Sequence, residues 1–260
     1  MRRAAIATAL SLLCLAGVVG AQGPRPLRVA IYDAPGVSRA AYATARAAFT
    51  DAGFEVRRMR PSDLRRGVLD ESDVVLFTGG RGLTQGRLLE RRGRTRVRRF
   101  VREGGGYLGI CAGAYLALRG ASQGYKVGIV AGRNLTGDRW RRGTRPTAVA
   151  PTDGSPPVTL HYANGPLFGP QAADDLPPFV TLARFEDDLY REDFDTHPGE
   201  MRGSAAVAAA SFGEGRVVLF SPNPTLAPAR PELLVRAARW TAERGQVRSD
   251  LGWAHVFGPP

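Results

Sequence analysis

The sequence is poor in the side chains that usually carry polar chemistry. It has two cysteines, three histidines and one lysine, Lys126, among 36 basic residues. Two cysteines, Cys14 and Cys111, allow at most one disulfide. Cys14 sits in an apolar leader, so a chain cleaved after that leader keeps one thiol and no internal bridge. No zinc-type Cys/His spacing, heptad repeat or basic–aromatic alternation occurs, which argues against zinc modules, coiled coils and a specific nucleic-acid motif. No apolar run reaches the ~20 residues of a membrane-spanning helix.

What is present bounds the chain further. It has 260 residues, 43% hydrophobic, enough for one domain with a sizeable core. The formal charge of +12 is nearly all arginine, which reads as a compositional habit more than as a built phosphate surface. Arg2 and Arg3, the apolar stretch Ala4–Val19 and the small pair Val19 and Ala21 have the form of a signal peptide over residues 1–21, with a mature chain from Gln22. The expectation is an exported protein, periplasmic or extracellular and not membrane-spanning after cleavage. A retained anchor is the alternative.

Apolar runs alternate with helical segments along the first half. Strands are expected at Leu27–Tyr32, Phe54–Arg57, Val74–Phe77 and Tyr107–Ile110. Helices are expected at Ser38–Ala52, at about Thr84–Val101 with a break at Gly93, and at Ala112–Leu118. This alternation predicts βαβ units and a mostly parallel, doubly wound α/β sheet. Beyond Gly120 the pattern becomes β-rich and irregular, with strands at Val127–Val130, Thr147–Ala150, Val158–Tyr162 and Phe179–Phe185. A hairpin around Gly213-Glu-Gly215 joins Ala205–Phe212 to Arg216–Ser221. A helix at Glu232–Arg244 closes the domain (22–244), and residues 245–260 read as a loose polar tail. The arginines of the 84–101 helix read as a solvated face, with binding to anionic surfaces as an alternative use.

The segment richest in chemistry is Gly104-Gly-Gly-Tyr-Leu-Gly-Ile-Cys-Ala-Gly-Ala-Tyr115. It places Cys111 between a strand and a helix in a Gly-x-Cys-x-Gly turn, the form of a nucleophile elbow. Such a turn lifts the sulfur above the carboxyl edge of a parallel sheet, where open α/β sheets place ligands. The helix that follows is expected to favour the thiolate. Oxyanion donors are expected from the Ala112 amide and from the loop Gly79, Gly80, Arg81 and Gly82. The carboxylates Glu186, Asp187, Asp188, Glu192, Asp193 and Asp195 match no metal-loop spacing and read as a solvated loop. No cofactor or metal motif is found.

These residues resemble the class I glutamine amidotransferase-like superfamily. The resemblance is closer to the N-terminal domain of biotin protein ligases and its stand-alone bacterial relatives. It rests on Phe77-Thr-Gly-Gly-Arg-Gly82, the cysteine segment, His161-Tyr-Ala-Asn-Gly-Pro166 with Phe168, and Val218-Leu-Phe-Ser-Pro-Asn-Pro224. It implies a flavodoxin-like fold with Cys111 as nucleophile. The family's glutaminases complete a triad with a His-Pro-Glu segment; the matching stretch here is Asn223-Pro-Thr225. Asparagine takes no proton from a thiol and threonine is no carboxylate. His161 is then the best-placed substitute base. The expectation is a module that binds a small polar molecule or an envelope partner with impaired or altered catalysis. A cysteine-dependent amide hydrolase or amidotransferase is the enzyme alternative. Neither substrate nor oligomeric state is legible.

Overall fold

Four consecutive buried residues, Val29 to Tyr32, follow Arg28 in the first strand, β1 (Arg28–Tyr32). The computed structural model describes residues 25–120, 124–137 and 139–258. The expected leader and Cys14 lie outside them. Helix α1 (Arg39–Asp51) starts at Ser38, whose side chain accepts the Ala41 N–H, and ends where Gly53 turns left-handed at φ +80°. It buries Ala41, Ala45, Ala48 and Phe49, one stripe at helical spacing. After it come β2 (Glu55–Met59), the short helix α2 (Pro61–Arg65), a 3₁₀ turn at Val68–Glu71 and β3 (Val74–Phe77). Helices α3 (Gly82–Leu88) and α4 (Glu90–Arg102) lead to β4 (Gly106–Ile110) and α5 (Ala112–Ala117).

The remaining strands are β5 (Gly132–Asn134), β6 (Thr144–Pro151), β7 (Val158–Ala163), β8 (Phe168–Pro170), β9 (Val180–Phe185), β10 (Ala205–Phe212) and β11 (Gly215–Phe220). Helices α6 (Pro231–Ala242) and α7 (Trp253–Phe257) finish the chain. The main sheet runs β2-β1-β3-β4-β11-β10-β9-β6-β7. Its first five strands pair in parallel, in the flavodoxin-like order. From β11 onward every pairing along it is antiparallel. The sheet is thus mixed, and the β-rich second half extends it rather than forming a separate layer.

Strand residues alternate between two cores. Val29, Ile31, Leu76 and Leu108 pack with Phe49 and Leu234 from α1 and α6, whereas Ala30, Tyr32, Phe77 and Tyr107 pack with Val97, Val101 and Leu116 from α4 and α5. Helices therefore cover both faces of the parallel half. Fully burying one such large apolar side chain stabilises by roughly 1.5–3 kcal/mol.

Four local expectations are corrected. The helix expected over 84–101 breaks at Leu89, where Glu90 takes φ +54°, while Gly93 stays helical and lets Leu64 and Leu89 pack closely. Residues 127–130 form no strand. Val127, Gly128, Ile129 and Val130 donate to the carbonyls of Leu116 and Ala117, so they satisfy the end of α5. The tail is docked rather than loose. Trp253, Val256 and Phe257 enter the core on one face of α7, and Val247 N–H binds the Ser211 hydroxyl at 2.6 Å. Their i, i+3, i+4 spacing is a helical stripe too short to stand out in a polar stretch. Finally, Asp187 and Asp188 accept backbone N–H groups of Ala148 and of Gly199, Met201 and Arg202, so they order the loop instead of being merely solvated.

Candidate active site at Cys111

Cys111 ends β4 and begins α5 with φ +50° and ψ −103°, an uncommon conformation for a residue with a side chain. Its surroundings hold it there. The Cys111 N–H donates to the Phe220 carbonyl at 2.8 Å, and the Cys111 carbonyl accepts the Tyr115 N–H at 3.0 Å. Both flanking glycines are sterically required. A Cβ on Gly109 would lie 2.8 Å from the Ala114 nitrogen, and one on Gly113 only 1.9 Å from the Phe77 oxygen. The turn is thus the only way for β4 to enter a helix pressed against β3.

A second glycine loop leaves β3 beside it. Gly80 has φ +138°, and a Cβ there would meet the Gly36 oxygen at 2.0 Å. Two bonds tie this loop to the one after β1: Ser38 N–H to Gly79 O at 2.9 Å and Arg81 N–H to Gly36 O at 2.7 Å. A Cβ on Gly79 would sit 3.6 Å from the Cys111 Cβ. The Gly80 and Ala112 amides act on the thiol and draw its pKa down. Of the four loop residues expected at the oxyanion position, Gly80 is therefore the one whose amide faces the sulfur. The Arg81 amide is used by Gly36 and its side chain is exposed, while Gly82 makes room for the Tyr115 ring.

Burial pushes the thiol above its ordinary value of 9.0, and the Gly80 and Ala112 amides pull it only partly back. This runs against the expected bias toward thiolate: loss of hydration outweighs the amides. The residue is partly exposed and packs against the apolar core. The thiol donates to the Ala163 carbonyl at 3.8 Å. A carbonyl holds that proton in place without removing it.

The other expected site residues lie nearby with different partners. His161 contributes its carbonyl to the Asn223 N–H at 2.7 Å, and its Nδ1 meets the Ala227 carbonyl at 2.9 Å. No hydrogen bond joins the His161 ring to the thiol among the described residues, so the structure does not pair them as acid and base. His197 is exposed beside Asp195, and His255 Nδ1 accepts the Gly252 N–H. Asn223 and Thr225 are buried and bonded together. Asn223 Oδ1 accepts from the Thr225 N–H at 2.8 Å and from its hydroxyl at 2.9 Å, and Thr225 Oγ1 lies 2.8 Å from Thr44 Oγ1.

Several contributors escaped sequence reasoning. Ala163 acts through a main-chain atom and Thr44 lies on a distant helix, so neither leaves a local signal. Asn164 adopts φ +55° and accepts the N–H groups of Arg142 and Gly143, each at 2.8 Å. It anchors the turn that carries Ala163. Cavities of about 440 and 240 Å³ lie elsewhere, the larger at the amino edge of β3 and β4 around Asp73, Phe100 and Arg244.

A doubly wound sheet in this strand order, with a cysteine on the β4–α5 turn, is a flavodoxin-like fold of the kind found in glutamine amidotransferases. Residues 27–139 match the family model described as biotin-protein ligase, N terminal. Among solved structures, a glutamine amidotransferase from Thermotoga maritima is similar in fold, with TM-score 0.50 and 12% identity, covering 78% of each chain. β-Galactosidases from Rahnella sp. R3 and from Bacillus circulans sp. alkalophilus match with TM-scores of 0.45 and 0.46 and identities of 15% and 12%. They cover 75% and 76% of this chain, which spans 28% of the length of each. No curated protein matches. Among the described residues no helix is long and apolar enough to cross a membrane.

Proposed function

We propose that this chain is an exported amidotransferase-like module that binds a small polar ligand at Cys111 and lacks the proton-transfer pair of a glutaminase. The observation that carries the reading is the thiol's surroundings. Its proton points to the Ala163 carbonyl, burial raises its pKa, and the Asn223-Pro-Thr225 stretch offers no base. Catalysis by a cysteine needs the thiolate or a base that makes it. Export rests on the Arg2-Arg3 start and the apolar stretch to Val19. An envelope partner would meet the module there.

The test is the pH dependence of Cys111 alkylation by iodoacetamide. The reading expects little reaction at neutral pH and a titration above that of free cysteine. A thiolate already formed at pH 7, or glutamine hydrolysis abolished by Cys111→Ser, would sink it. One observation favours the second reading, a cysteine-dependent amide hydrolase: the Gly80 and Ala112 amides are placed as an oxyanion hole would be. That reading expects an acyl-enzyme burst with an activated ester, lost in Cys111→Ser.

A further inference from the structure

Helix α3 is built inside out. Its polar Gln85 is fully buried, with Nε2 donating to the Gly36 carbonyl at 3.1 Å and to the Thr78 carbonyl at 3.4 Å. Gly86 faces inward too, where a Cβ would lie 2.3 Å from the Tyr125 oxygen. These contacts fix the rotation of the helix. They turn Leu83 and Leu88 outward, 41% and 37% exposed. Among the described residues five large apolar side chains are exposed, and this seven-residue helix carries two of them. A single exposed leucine needs no explanation, whereas a helix with its polar residue inside and its leucines outside does.

Basic charge surrounds these leucines. Arg87 lies one turn after Leu83 on the same face, and Arg91, Arg92 and Arg96 follow on α4. All four are exposed, and none has a hydrogen bond or ion pair among the described residues. Other arginines of α4 have structural partners: Arg94 donates to Gly86 O at 3.0 Å, Arg98 to Val127 O at 2.8 Å, and Arg99 pairs with Glu103 at 2.8 Å. The Arg94 bond ties α4 to α3, and only the Leu89–Glu90 junction separates Leu88 from Arg91. Glu90 is the one acidic residue between Leu83 and Arg102. Arginine is abundant throughout the chain, so charge alone identifies nothing. What singles out this face is unpaired guanidinium groups beside leucines held out to solvent. Nucleic acid would use the charge and leave the leucines without a role. A lipid surface uses both: its phosphates take the guanidinium forks and its acyl boundary takes the leucines.

We propose that the outer face of α3 and the start of α4 dock on an anionic lipid surface. The four arginines sit at the level of the lipid phosphates, and Leu83 and Leu88 insert just beneath them. Insertion is shallow and reversible, because two leucines and four basic groups make neither a span nor a permanent anchor. The docking needs nothing from Cys111.

Co-sedimentation of the full-length chain with phosphatidylcholine vesicles, with and without phosphatidylglycerol, tests this. The wild type should bind more tightly when phosphatidylglycerol is present, and the gain should shrink as salt rises. Replacing Arg87, Arg91, Arg92 and Arg96 together by Gln should weaken binding to the anionic vesicles about a hundredfold or more. Replacing Arg39, Arg46, Arg145 and Arg202 by Gln removes the same charge from exposed arginines without ion pairs elsewhere, and should cost less than about tenfold. Leu83→Ser with Leu88→Ser should weaken vesicle binding about tenfold or more and leave binding of a DNA oligonucleotide unchanged. All of these positions are exposed, so the variants should keep the wild-type melting temperature, and all share one amino terminus, so their differences report this face. No gain from phosphatidylglycerol in the wild type, or equal losses from the two arginine sets, overturns the proposal. Vesicle binding unchanged by the leucine pair overturns it as well, and would leave a polyanion such as nucleic acid as the partner that fits.

Discussion

Strands β4 and β11 lie side by side and parallel, yet the turns that leave them hold different things. The turn after β4 holds a strained Cys111 between two glycines that packing requires, with the Gly80 and Ala112 amides acting on the thiol. The turn after β11 holds Asn223 and Thr225, bonded to each other and to Thr44. The difference has a packing cause. Gly109 and Gly113 are required because backbone atoms of Ala114 and Phe77 crowd them, so the cysteine turn is part of how the sheet meets α5. It survives whether or not chemistry is done there.

The comparison can be broken most forcefully at Gly113. Gly113→Ala puts a methyl 1.9 Å from the Phe77 oxygen, a clash with backbone that cannot move aside. Denaturation should show a loss of about 3 kcal/mol or more. Gly124→Ala, where nothing lies within 4 Å, should change stability by no more than about 0.5 kcal/mol. Comparable losses at both positions would mean that the turn is not a packing element.

The next effect is chemical. Asn223→His restores an imidazole at the end of β11, and alkylation of Cys111 at pH 7 should speed up about tenfold or more. An unchanged rate would place position 223 out of reach of the thiol. Thr225→Val keeps the side-chain shape and removes only the hydroxyl's bonds to Asn223 Oδ1 and Thr44, the backbone N–H bond to Asn223 Oδ1 remaining. A loss of about 1–2 kcal/mol in chemical denaturation is expected, with the alkylation rate little altered. The smallest effect is a pH slope. A thiol whose folded pKa is raised holds its proton longer in the native state. That stabilisation is complete below the unfolded thiol value of about 9.0 and is lost as pH climbs past it. Stability should therefore fall above about pH 9 by at most about 1.4 kcal/mol per pH unit from this group, and Cys111→Ala should flatten the fall. An identical slope in the variant would assign it to other groups.

The parallel half and the cysteine turn were legible because each is written in adjacent residues. Buried strands are apolar runs, α1 has its cap and its stripe, and Gly-x-Cys-x-Gly announces its own geometry. Arg81 could not be told from Gly80, since which amide faces the sulfur depends on Gly36, a residue on another strand's loop.

By itself the sequence determined the strand–helix alternation and the place of the thiol on a tight turn. Tertiary structure alone decided that the thiol is raised rather than depressed, that its proton goes to Ala163, that Thr225 meets Thr44, and that Trp253 and Phe257 seal the core. The reason is distance along the chain. Cys111 and Ala163 are 52 residues apart and Thr44 and Thr225 are 181 apart. Local patterns specify conformation, whereas hydration and hydrogen-bond partners are set only once remote segments arrive.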